Sequence, residues 1–291
     1  MGLSSRLTPA IKYIVPPVLV DLARSLKRLL RLEVIEWEYI PEGWAVKSTD
    51  AGVRGWNVES VLEAYKSRWP MFVKNLGGTT PFGASPESLT DTQIDLTFHN
   101  TIMSYAYALA LASRSRSSIT MLDWGGGIGH YYLISKALAP DLEIEYHCKD
   151  VPVLSEYGKQ LFPQAYFHMD EACLMQQYDF VLVSASLHYT EDWPSLLGRL
   201  ARATGGYIFV TRLPIVLHAV SFVFLQRPYQ YGYNTEYLGW CVNRNEFLKC
   251  AEAAGLILVR ELITGEQPPI HRAPEQCQYH GFIFRSASKI G

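Results

Sequence analysis

The chain is poor in the features that would place it in several large functional classes. Its five cysteines, at 148, 173, 241, 250 and 277, form no C-x-x-C pair and have no His-rich partner segment. Neither a zinc site nor a disulfide framework is indicated, and the odd count suits a reducing compartment. Cys241 reads as a small buried apolar residue before it reads as a nucleophile. No grouping of carboxylates and histidines has metal-ligand spacing, so no metal is expected. Net charge is only −2 over 291 residues, which argues against nucleic acid as a partner because phosphate binding needs concentrated Lys and Arg. The longest apolar run outside the N-terminal region, Pro214 to Leu225, contains His218 and is too short to cross a bilayer. Lys12, Pro16 and Pro17 interrupt the first apolar stretch and no small-residue cleavage site follows, so a signal peptide is not expected. Arg6 stands where N-myristoylation requires Ser or Thr. No internal repeat is visible. The expectation is a cytoplasmic globular protein, and 48% hydrophobic residues over this length are ample for a buried core.

What the chain does have is a glycine-dense turn, Asp123-Trp124-Gly125-Gly126-Gly127-Ile128-Gly129. Ile119 to Leu122 reads as a short apolar strand before it and His130 to Leu138 as a helix after it. The glycines therefore sit where the chain bends sharply and where a ligand can touch backbone. A dinucleotide fingerprint, G-x-G-x-x-G, fails in register, because its third glycine would fall on His130 or on Tyr132. An acid two residues before the first glycine would also repel a pyrophosphate. The acid followed by alternate glycines resembles instead the S-adenosylmethionine (SAM) loop of class I methyltransferases, whose ligand carries an ammonium and a sulfonium and no phosphate. Asp150 closes the next expected strand, Leu142 to His147, about twenty residues after the last glycine, the spacing that puts a carboxylate on ribose hydroxyls. Lys149-Asp150-Val151-Pro152 is similar to the Asp-Leu-Pro element of many small-molecule O-methyltransferases.

Strands and helices alternate from residue 119 onward, the signature of a mostly parallel sheet covered on both faces. Expected strands are 119–122, 142–147, 165–168, 180–184 and 207–211, followed by 256–262 and 281–285. Expected helices include 58–69, 91–112, 193–203 and 244–254. The expected fold class is α/β, and the final strand pair resembles the antiparallel seventh strand of a Rossmann-like class I methyltransferase sheet, which implies seven strands with the last antiparallel, beside an N-terminal helical extension and an aromatic cap. Three regions follow. Residues 1–32 carry six basic side chains against one acid and form an amphipathic helix, available for peripheral contact with the inner membrane face or for packing on its own domain. Residues 33–118 form a cap and helix. Residues 119–291 form the SAM-binding core, with an aromatic insertion at 213–243 that reads as a lid, a structural cap or a dimer contact.

With these motifs in place, the chain resembles a bacterial family of SAM-dependent methyltransferases associated with surface-polysaccharide and natural-product loci. The resemblance runs from Glu36-Trp37-Glu38-Tyr39 through the glycine turn to Tyr237-Leu238-Gly239-Trp240. It implies SAM as cofactor, with Asp123 orienting the methionine ammonium, Gly125, Gly127 and Gly129 passing close to it, and Asp150 holding the ribose. Asp170 reads equally as a contact to the adenine amino group and as a helix N-cap. Methyl transfer needs the acceptor held in line and a place for its proton. His188, just past the fourth core strand, is the candidate base, with a hydrogen-bonded loop histidine as the alternative. Arg212, at the end of the fifth, is the second candidate catalytic residue and suits an anionic substrate group. His99, Tyr189, Tyr231, Tyr233 and Tyr237 are candidate substrate contacts. The expected activity is methyl transfer to a small polar acceptor, an oxygen of a sugar or glycan precursor; the alternative is a SAM-binding module that assists glycan assembly without turnover. Nothing in the sequence sets the oligomeric state.

Overall fold

The structure, a computed structural model, describes residues 34–45, 55–82, 86 and 95–287. The basic helix expected over 1–32 lies outside the described residues, as do positions 91–94 of the helix expected to begin at Asp91. Among the described residues ten strands build one sheet: β1 Trp37–Ile40, β2 Ser118–Trp124, β3 Glu143–Lys149, β4 Tyr166–His168, β5 Tyr178–Ser184, β6 Thr204–Val216, β7 Phe222–Gln226, β8 Tyr237–Asn243, β9 Leu256–Ile263 and β10 Gln278–Ser286. Six helices among the described residues accompany them: α1 Glu59–Leu76, α2 Leu96–Ala112, α3 His130–Leu138, α4 Pro152–Leu161, α5 Trp193–Ala203 and α6 Arg244–Ala253.

The core runs β4-β3-β2-β5-β6, all parallel, and continues through β10, which lies antiparallel between β6 and β9. This is the expected α/β, Rossmann-like sheet of seven strands with the last antiparallel. Alternation along each strand divides the core into two layers. Val181, Val183, Ile208, Val210, Phe282 and Phe284 meet Trp193, Leu196, Leu197, Leu200 and Phe247 of α5 and α6. Their neighbours Phe180, Leu182, Phe209 and Ile283, with Met121, meet Ile102, Tyr105 and Leu109 of α2 and Ile134 of α3.

Three elements differ from the sequence expectation. The strand expected at 207–211 runs through Val216, because it changes partner: it pairs with β5 as far as Thr211 and with β8 at Ile215 and Val216. Arg212, at the changeover, has a left-handed φ of 51°, and β10 makes a register shift opposite it, between His280 and Phe282. The aromatic insertion is largely sheet rather than a lid, since β7 and β8 form an antiparallel hairpin that extends the sheet and receives β1 on its outer edge. Finally, α1 does not stop at Trp69 but passes through Pro70 to Leu76, where burial of Phe72 offsets the lost backbone hydrogen bond.

Candidate functional site

The carboxyl ends of β2 and β3 carry the glycine turn. Gly125, Gly127 and Gly129 all have positive φ, at 73°, 61° and 87°. At Gly129 space is also limiting, since a Cβ would stand 2.8 Å from Phe167 Cζ and 3.3 Å from Phe162. Gly127 is open, with nothing nearer than the Tyr65 hydroxyl at 3.6 Å. Asp123, completely buried at the end of β2, accepts a hydrogen bond from the Tyr146 hydroxyl on one oxygen, while its Oδ1 has no partner among the described residues. Burial raises its pKa to about 7, against the effect of that hydrogen bond. Asp150 lies across the turn, accepting from the Gly127 amide on Oδ2 (2.7 Å) and from the Val151 amide on Oδ1 (2.6 Å). Burial raises its pKa and the two amides oppose the rise. Each Asp150 oxygen keeps a second lone pair, which is what a vicinal diol needs.

Asp170 follows β4 and caps a short 3-10 helix, Glu171–Met175, by accepting from the Ala172 amide at 2.9 Å. The N-cap reading thus describes its present contact, on an exposed residue.

The carboxyl ends of β5 and β6 make the other half. Ala185 leaves β5 with a left-handed φ of 50°, donates its amide to Thr211 O (2.9 Å), and leads into a 3-10 turn, Leu187–Tyr189. His188 is fully buried there with neither ring nitrogen hydrogen-bonded among the described residues. Burial, with Arg212 nearby, lowers its pKa to about 3, so the ring is neutral at physiological pH. The alternative of a histidine hydrogen-bonded into its loop is therefore not what the structure shows. Arg212 pairs with Glu266 (3.2 Å) and lies 5.7 Å from the centre of the Tyr279 ring. Thr211 Oγ1 is buried without a partner among the described residues.

Eight buried side-chain atoms among the described residues lack a hydrogen-bond partner, and seven belong to Arg68, His99, Asp123, His130, His188 and Thr211. Four of these residues stand at the carboxyl ends of the core strands or on the turns that leave them. His99 belongs to the first turn of α2, whose far end feeds β2, so it too lies toward that edge. Buried polar atoms are normally paired, so their concentration at one edge marks a place built for a polar ligand.

Of the candidate substrate residues, Tyr189, Tyr233 and Tyr237 come together around a residue the sequence reading passed over, Trp56. Its ring stacks on Tyr237 (4.4 Å, 19°) and meets Tyr189 and Tyr233 edge-on at 5.3 and 6.0 Å. Tyr231 is half-buried beside Tyr233, while His99 stands apart on α2. Glu266, Thr211 and Tyr65 were also missed. Each reaches the site by a tertiary contact, and none has a sequence signal that could have marked it.

No protein-family model and no curated protein sequence matches the chain. Solved structures similar to it include the 1,6-didemethyltoxoflavin-N1-methyltransferase of Burkholderia thailandensis, crystallised with 1,6-didemethyltoxoflavin and S-adenosylhomocysteine, at 14% identity and TM-score 0.43 over 64% of this chain and 79% of that one. Human N-acetylserotonin methyltransferase, in complex with SAM, overlaps at 19% identity and TM-score 0.45; the overlap takes 66% of this chain but spans only 54% of the human protein. A SAM-dependent methyltransferase of Methanosarcina mazei overlaps at 15% identity and TM-score 0.45, over 59% of this chain and 93% of that one. Among the described residues no helix is long and apolar enough to cross a membrane, and no group of three metal-ligating side chains is present.

Proposed function

We propose that the chain is a SAM-dependent methyltransferase acting on a small polar acceptor. The observation that carries this reading is the buried Asp123, whose Oδ1 has no partner among the described residues, beside a positive-φ glycine turn that Asp150 holds by the Gly127 amide. A carboxylate left half-satisfied in an apolar setting calls for a cation, and the cofactor's methionine end carries an ammonium. Asp123 would hold that ammonium and Asp150 the ribose diol, with Gly125 and Gly127 allowing close backbone approach. Asp170, by its second oxygen, would reach the adenine amino group. When bound, SAM supplies a methyl group on a sulfonium, an electrophile that needs no further activation.

The chain's own contribution would then be mostly placement, which can supply roughly 7–11 kcal/mol of a barrier. Trp56, Tyr189 and Tyr237 offer aromatic faces to an acceptor ring, and Arg212 with Thr211 offers polar anchors next to His188. A neutral His188 is able to take the acceptor's proton, yet with a pKa near 3 it is a weak base. A hydroxyl of a sugar or glycan precursor suits this mixture of aromatic and polar groups.

Calorimetric titration with SAM and S-adenosylhomocysteine tests the reading. Micromolar binding, weakened roughly 10-fold or more by Asp150→Ala, is expected from the loss of charge-assisted hydrogen bonds. No binding by the wild type would overturn the assignment. The low basicity of His188 favours one second reading, a SAM-binding module without turnover; binding that persists while no acceptor in a hydroxyl-compound panel is methylated would select it.

A further inference from the structure

The described half of the molecule that covers the glycine turn holds a cation that the roles above do not use. Along α1, positions 61, 65, 68 and 72 recur at helical spacing and share one face. Three of them fix where that face points. Val61 and Tyr65 pack with Ile128 of the glycine turn, the Tyr65 hydroxyl stands 3.6 Å from where a Cβ on Gly127 would be, and the Phe72 ring meets the His130 ring edge-on at 6.3 Å. Arg68 is the fourth. Its Nη2 donates to the backbone oxygen of Tyr231 (2.7 Å), while its Nη1 is buried and has no acceptor among the described residues.

A guanidinium with one edge satisfied and the other buried and unpaired is costly to keep, and a carboxylate relieves that cost better than any other common partner because two parallel N–H groups match its two oxygens. Asp123, on the turn that this face covers, is the complementary half, a buried acid with an unpaired oxygen. One acid and one guanidinium placed about a single glycine turn match the two charges of an α-amino-acid group. We infer that Arg68 is a cofactor-binding residue that holds the methionine carboxylate, opposite Asp123 at the ammonium, and that by its bond to Tyr231 it ties the β7–β8 connection to the loaded cofactor. This inference rests on the SAM reading and assigns one end of that ligand.

The test compares SAM with decarboxylated SAM, which keeps the ammonium, sulfonium and adenosine and lacks only the carboxylate, on the full chain by calorimetry. Wild type is expected to bind SAM roughly 10- to 100-fold more tightly than the decarboxylated analogue. Arg68→Gln is expected to bind both ligands alike, at the wild type's affinity for the analogue, and Arg68→Lys to recover part of the difference. If Arg68→Gln weakens both ligands by the same factor, the arginine is only a structural tie and the inference fails. It fails also if the variant keeps the wild-type preference for SAM. Should Arg68→Gln not fold, Arg68→Lys and the same ligand pair decide, because a preference unchanged from wild type would exclude a bidentate role. Wild type that binds neither ligand refutes the cofactor reading itself, a result distinct from a wild type that binds both equally, which refutes only the role of the carboxylate.

Discussion

The two halves of the candidate site are built differently. On the proposed cofactor side the turn, Asp123 and Asp150 come from 28 consecutive residues, with the Gly127 and Val151 amides on Asp150, Tyr146 on one oxygen of Asp123 and Ser186 on Trp124 O, while Asp123 Oδ1 is left without a partner among the described residues. On the acceptor side the parts come from β5, β6, β8, the segment at Trp56 and the loop at Glu266. There the backbone is strained at Ala185 and Arg212, and His188 and Thr211 have no hydrogen-bond partner among the described residues. A locally encoded half fits a ligand common to many proteins. Non-glycine backbone strain gathers in the other half, where an individual substrate would be recognised, and such strain is tolerated only when function repays it.

The sharpest test of the first half is steric. Gly129→Ala places a Cβ against Phe167 and forces a left-handed alanine, so a loss of roughly 3–5 kcal/mol is expected in chemical unfolding, with SAM binding abolished. Gly127→Ala has the same φ problem without the collision and should cost about 1–2 kcal/mol. Equal costs would mean that conformation alone, and not the Phe167 contact, fixes the turn.

That turn is also what the sequence displays best. The bounds of α3 and α5 agree with the expectation to the residue, and the seven-strand core follows from alternation and strand length. The hairpin β7–β8 was missed because its aromatic residues looked like lid material; only pairing with β1 and β6 reveals them as sheet. Arg212 could be picked out by its place at the end of a strand. Its partner Glu266 could not, because nothing in a sequence announces a contact 54 residues away.

Paired substitutions set the halves against each other directly. Tyr146→Phe removes the donor to Asp123 and leaves a second buried carboxylate oxygen unmet, for an expected loss of about 2 kcal/mol. Thr211→Val removes a hydroxyl that has no partner to lose, so stability should rise by about 1 kcal/mol while acceptor turnover falls. If both substitutions destabilise alike, the acceptor half is not carrying unmet polar groups as a functional cost.

The smallest effect is a difference in pH response. With Asp123 at about 7 in the empty protein against 3.8 unfolded, the native state binds the extra proton between those values. This carboxyl therefore stabilises the empty fold fully below its unfolded pKa, and the contribution is lost as pH rises through 7. His188, lowered to about 3 from 6.5, has the opposite sign: its stability is present above 6.5 and is lost as pH falls toward 3. Only the first group changes charge in the range where binding is measured. A cationic ligand end needs Asp123 ionised, so affinity for SAM should rise about fivefold from pH 6 to pH 7, close to 1 kcal/mol, and flatten above, with about half a proton released on binding at pH 7. Asp123→Asn should remove both the slope and the proton release, whereas His188→Gln should leave both in place. A slope that survives in Asp123→Asn would move the titrating group elsewhere and break the division of charge between the two halves.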